Sequence, residues 1–122
     1  MRTNAADALF DLYRSCGHVY AALTRRADQI LPYSLTMPQF NILDDLKKDG
    51  QPMVAQTFAL SHNITKGAVT NLLRQLESKQ LISIEKNPAD GRSKLVSLTK
   101  NGAKAHRDSM ICLLYTSDAA DD

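Results

Sequence analysis

The chain has 122 residues, 43% of them hydrophobic and 23% charged, with a net charge of +2, which is enough for one domain with a buried core. No apolar run approaches the roughly 20 residues of a membrane span, and the opening Met-Arg-Thr-Asn-Ala-Ala-Asp lacks the apolar stretch of a signal peptide, so a cytoplasmic protein without membrane association is expected. Catalysis has no foothold: Cys16 and Cys112 make no motif, His18, His62 and His106 are scattered, and no phosphate loop or nucleophile elbow occurs. Neither an enzyme, nor a metal site, nor a cofactor is expected.

Charge is unevenly spread. Residues 1–60 balance six Lys or Arg against six Asp. Residues 61–107 hold nine Lys or Arg against Glu77, Glu85 and Asp90, a balance of +6, while residues 108–122 carry −4. The basic middle suits a polyanionic partner.

In chain order, Asn4 to Leu31 reads as one long helix. Leu9, Tyr13, Cys16, Tyr20, Leu23, Ala27 and Ile30 form a heptad-like seam, widened by Phe10, Leu12 and Val19. Such a helix packs against its own domain and has apolar surface left for a second subunit; Cys16, on the seam, is expected to be buried. Pro32 ends it. Thr36 with Gln39 is a capping box, Pro38 lies in the first turn, and Phe40, Ile42, Leu43 and Leu46 form the buried side of a second helix that Gly50 closes. Gln51-Pro52-Met53 reads as an extended link. Val54 to Ser61 reads as a third helix with Ala55, Phe58 and Ala59 inward, its start poorly marked.

Ser61-His62-Asn63 breaks the pattern, and Thr65 caps a fourth helix reaching Lys79. Val69, Leu72, Leu73 and Leu76 make its apolar stripe; Gly67, Thr70, Asn71, Arg74 and Ser78 make a polar one. Two short helices across a tight turn are a helix-turn-helix. Leu81–Lys86 and Lys94–Leu98 then alternate as strands of a hairpin, with residues 87–93 as a long tip. Thr99 caps a last helix through Asn101–Met110. The order predicts a mainly α fold with a small β-hairpin wing, an α+β winged helix-turn-helix.

The chain resembles the MarR family of bacterial transcriptional regulators over roughly residues 5–108. The resemblance rests on Leu35-Thr36-Met37-Pro38-Gln39-Phe40, on Ile64-Thr65-Lys66-Gly67-Ala68-Val69-Thr70, and on Leu76-Glu77 with Gln80-Leu81-Ile82. It continues through Pro88-Ala89-Asp90-Gly91-Arg92-Ser93-Lys94, Val96-Ser97-Leu98-Thr99 and Gly102. It implies a sequence-specific, double-stranded-DNA-binding regulator, a ligand-responsive repressor reading an inverted repeat as a dimer. The 65–79 helix would enter the major groove and the 87–94 wing the minor groove. Thr70, Asn71 and Arg74 would face bases or backbone, and Thr65, Lys66 and Gly67 a phosphate. Arg92 would enter the minor groove, flanked by Ser93 and Lys94 at phosphates and oriented by Asp90. A small aromatic effector pocket could draw on Tyr13, His18 and Tyr20, although Tyr13 and Tyr20 also fit the apolar seam. The alternative is a winged-helix protein-interaction module without specific DNA binding, which would more often show an apolar face.

These readings divide the chain into an N-terminal dimerisation and core helix (1–34), the winged helix-turn-helix domain (35–99) and the start of a C-terminal helix (100–111). Residues 112–122, beginning Cys112-Leu113-Leu114-Tyr115-Thr116-Ser117, resemble the in-frame translation of a transposase adapter used in DNA library preparation. They are expected to be non-native, which gives the remaining chain +5 and a truncated C-terminal dimerisation region. The full-length protein is expected to be a homodimer, and this chain a weaker one.

Overall fold

Helix α1 (Ala5–Ile30) starts where the Asn4 side chain accepts the Asp7 amide at 2.8 Å, and it runs as one rod to Leu31. The computed structural model describes the backbone of residues 4–120 and the side chains of residues 4–115. Only the C-terminal end of α1 joins the core, through Ala27 and Leu31. The rest of the seam is open in the single chain: Leu9, Tyr13, Tyr20 and Leu23 are 63% to 74% exposed, and Cys16 is exposed as well. The expected burial of Cys16 is therefore corrected for this chain. Heptad spacing identifies a face that needs cover, but not which molecule supplies it.

The core is built on α2 (Met37–Asp49). Thr36 and Gln39 close the capping box, with Gln39 N–H to Thr36 Oγ1 at 3.4 Å and Thr36 N–H to Gln39 Oε1 at 3.1 Å. Gly50 ends the helix at φ 75°, where a side chain would be strained. Phe40, Ile42, Leu43 and Leu46 lie inside with Leu35, Phe58, Val69, Leu73, Leu76, Leu81, Ile82, Val96 and Ala105. Phe58 is fully buried, and truncating such a side chain to Ala costs about 3–5 kcal/mol.

Next come β1 (Met53–Val54), α3 (Ala55–His62), α4 (Lys66–Ser78), β2 (Ile82–Asn87), β3 (Asp90–Leu98) and α5 (Lys100–Ala120). The three strands form one antiparallel sheet in the order β1-β3-β2. Val96 pairs with Met53 on one side and Ile84 on the other, and it is fully buried. Met53 is thus a strand residue rather than a link, and α3, which has no side-chain cap, begins where that pairing ends. Two residues are too few to show a period, and their partners lie far along the chain.

The hairpin is also tighter than its sequence suggests. Asn87 pairs with Asp90 across Pro88-Ala89, and the ladder slips between Lys86 and Asn87, so that Gly91, Arg92 and Ser93 belong to β3. Beyond it, Thr99 Oγ1 accepts the Gly102 amide at 2.9 Å and donates to the Gln80 carbonyl at 2.8 Å. A Cβ at Gly102 would stand 2.0 Å from the Leu81 carbonyl oxygen, so this glycine lets α5 rest directly on the backbone below it. Helix α5 continues past Met110, and Leu113 packs against the core.

Two His–Asp contacts tie the outer helices to α2. His106 Nε2 lies 2.8 Å from Asp44 Oδ1, with its ring stacked on Phe40 at 5.3 Å; His62 Nε2 lies 2.5 Å from Asp45 Oδ2. No helix among the described residues is long and apolar enough to cross a membrane, and no cluster of His, Cys, Asp or Glu among them is set to hold a metal.

Candidate nucleic-acid interface

The turn between α3 and α4 is made by Asn63 in the left-handed conformation, φ 53°. Asn tolerates this region better than most residues, because its short polar side chain can bond locally. Thr65 then caps α4 by accepting the Ala68 amide at 3.1 Å, and the Val69 amide reaches the Thr65 carbonyl. The Lys66 and Gly67 amides have no carbonyl one turn earlier in the helix to accept them. Val69, Leu73 and Leu76 anchor the helix in the core, which turns Lys66, Gly67, Thr70, Asn71 and Arg74 outward. A Cβ at Gly67 would meet nothing closer than Thr65 Oγ1 at 4.0 Å, so nothing within the chain requires glycine there.

The wing faces this helix across an open cleft of about 620 Å³. Lys66, Thr70 and Arg74 line it from α4, and Asp90, Arg92, Ser93 and Lys94 from β3. Ala55, Gln56 and Ala59 close it on the α3 side, and Val69, Leu73 and Ile84 lie beneath. Four cations therefore share the walls with Glu77 and Asp90. Thr65, Gly67 and Asn71 are exposed on α4 but outside these walls. The Thr70 hydroxyl donates to the Lys66 carbonyl at 3.0 Å, which leaves its oxygen free to accept.

Asp90 acts on Arg92 through the backbone. Its Oδ1 accepts the Arg92 amide at 3.0 Å, while the Asp90 carbonyl accepts from Ser93 Oγ at 3.1 Å. Asn87 completes the tip, donating from Nδ2 to Ser93 Oγ at 3.0 Å and accepting the Ala89 amide at 3.0 Å. The turn is thus braced by side chains, and the exposed Arg92 guanidinium is left unpaired among the described residues. The sequence places Asn87 within the long tip, residues 87–93, but assigns it no bracing role, although Asn before Pro88 was the available signal. Gln56 was also missed, since α3 was read only for its inward residues.

Tyr13, His18 and Tyr20 lie elsewhere. All three are exposed on α1, and none lines the cleft.

A helix-turn-helix and a braced cationic hairpin around one cleft match a known pattern: residues 35–94 fit the model of the MarR family. The chain belongs to the MarR family. The MarR-like fold extends over nearly the whole chain. The structure of the transcriptional regulator BldR from Sulfolobus solfataricus superposes with a TM-score of 0.84 at 19% identity, covering 97% of this chain and 85% of that one. A mutant MarR from E. coli complexed with operator DNA gives 0.76 at 24% identity, covering 91% and 79%. The PcaV regulator from Streptomyces coelicolor, in complex with its natural ligand, gives 0.76 at 18%, covering 98% and 82%. No curated protein matches the chain in sequence.

Proposed function

We propose that this chain is a cytoplasmic, sequence-specific DNA-binding transcriptional repressor that reads an inverted repeat as a homodimer. The observation that carries this reading is the cleft, where Lys66, Thr70 and Arg74 of α4 face Arg92, Ser93 and Lys94 of the wing with few opposing charges. A protein-docking groove would be depleted of charged residues at its centre. The reported complex of a similarly folded MarR with operator DNA supports the same use.

In this reading α4 lies in the major groove. Arg74 forks onto guanine and Asn71 onto adenine, while Thr70 accepts from a base or contacts the backbone. Lys66, with the unpartnered first-turn amides of Lys66 and Gly67, takes a phosphate, and the absence of a side chain at Gly67 allows close approach. Arg92, presented by the Asp90 brace, enters the adjacent minor groove, whose narrow A·T tracts concentrate negative potential. Ser93 and Lys94 hold the flanking phosphates. The open face of α1, with Met110, Ile111 and Leu114 of α5, pairs two such heads. A small aromatic effector bound near Tyr13, His18 and Tyr20 would then lie close to the pairing face; the similarly folded PcaV is itself described in complex with a ligand.

Selection of duplexes from a random-sequence pool tests the reading. The expected product is an inverted repeat with half-site centres about 10 base pairs apart, one helical turn. A pool that stays unenriched, at a stated salt concentration, would contradict it.

A further inference from the structure

Lys79 stands at the C-terminal cap of α4, where its charge first suggests one more contact to DNA. The side chain goes the other way. Its Nζ donates to the Ser34 carbonyl at 2.9 Å and to Gln39 Oε1 at 3.1 Å. Gln39, 4% exposed, spends the rest of its amide on the same task. Its Oε1 also accepts the Thr36 amide at 3.1 Å, and its Nε2 donates to Gln75 Oε1 at 2.7 Å. Gln75 and Lys79 lie one turn apart on one face of the helix. One buried amide of α2 therefore grips the last turn of α4 at two points.

Ser34 carries the grip onward. It and Tyr33 form the connection between α1 and α2, both in the left-handed region at φ 55° and 61°, a conformation that non-glycine residues hold only when their surroundings fix it. The fixing contacts are on either side: Lys79 on the Ser34 carbonyl, and on Tyr33 a hydrogen bond from its hydroxyl to Asp108 of α5. Lys104 of α5 also sits 6.0 Å from the Tyr33 ring centre. A continuous set of polar contacts thus runs from α5 through the α1–α2 connection to the end of α4. Burial holds the Lys79 ammonium below the usual lysine range, the direction that desolvating a cation imposes.

We propose that Lys79 and Gln39 are positioning residues for DNA reading, fixing the tilt of α4 on α2 and linking it to the α1–α2 connection and α5. The inference rests on the DNA-binding reading above. With the grip gone, Val69, Leu73 and Leu76 still hold α4 in the core, so the helix shifts rather than melts.

The test uses Lys79→Met and, as a second break in the same grip, Gln75→Met. In the free proteins, hydrogen exchange should quicken at amides 76–81 and 33–35. Each variant should also lose affinity several-fold for the duplex that the wild type selects, keep its affinity for a shuffled duplex, and show an unchanged salt slope. A phosphate contact would behave differently: its loss lowers the slope by about one and weakens both duplexes alike. That outcome for Lys79→Met overturns the proposal, and so does unchanged discrimination in both variants. If the wild type selects no duplex, the DNA reading fails, and unchanged exchange then overturns the coupling by itself.

Discussion

Arg92 and Lys66 line the same cleft, yet they are expected to fail differently when removed. Arg92 is exposed, unpaired among the described residues, and aimed by a turn that Asp90, Asn87 and Ser93 brace. In the proposed reading it reaches into a groove, so its loss is expected to depend on sequence. Arg92→Ala should weaken binding to the selected duplex by about 1–3 kcal/mol, whereas Lys66→Ala should weaken selected and shuffled duplexes nearly alike and lower the salt slope by about one. Anisotropy titrations at several salt concentrations separate the two. Equal affinity and equal salt dependence for Arg92→Ala and wild type would remove the wing from the site. At this scale the sequence showed which residues carry charge and which face of α4 they share, because helical spacing sets that directly. It did not show that Thr70 donates to its own helix, that Asp90 holds a backbone amide, or that Lys79 turns inward. Each of those depends on a contact whose geometry appears only once the elements are packed.

Among the elements, α2 is the beam to which the others are fastened. Asp44 lies between Lys48, at 2.8 Å, and His106 of α5, also at 2.8 Å. Burial alone would raise the Asp44 carboxyl, but the hydrogen bonds and charges of Lys48 and His106 outweigh it and hold the group below the ordinary carboxylate range. A depressed aspartate contributes stability that is complete above its unfolded value of about 3.9 and is lost as pH falls through the folded value. Wild type should therefore lose stability progressively below about pH 4. Asp44→Asn should start from a lower stability at neutral pH and lose less across that window. Urea midpoints measured between neutral and acid pH decide it, and parallel curves for the two proteins would count against the anchor. The helices were legible because capping boxes and apolar stripes are local signals: Thr36 with Gln39, Thr65, and Gly50 all act where they were read. β1 and the zipped part of β3 were not legible. Their pairing is long-range, and Pro88 with Asp90-Gly91 advertises a loop wider than the two residues that turn the chain.

Across the whole molecule, the core beneath the cleft is covered and the apolar face of α1 is not. Leu9, Phe10, Tyr13, Tyr20 and Leu23 of α1 and Leu114 and Tyr115 of α5 remain open to solvent in the single chain. Apolar surface of this extent marks an interaction face. Sedimentation equilibrium should show a concentration-dependent monomer–dimer equilibrium, shifted to monomer by Tyr13→Glu or Leu23→Glu. A wild type that stays monomeric at every concentration would contradict pairing through this face. Here the seam was visible in the sequence but its partner was not, which is why Cys16 was expected inside and stands outside.

The central claim is that α4 and the wing together read a DNA sequence. Competition between the selected duplex and a shuffled duplex of equal length, at about 0.15 M salt, tests it most directly, because both duplexes offer the same phosphates. The account predicts a preference of at least about 10³-fold for the selected duplex, which Arg74→Ala and Arg92→Ala each reduce. Equal affinity for the two duplexes would mean that the cleft binds charge without reading sequence, and would contradict it.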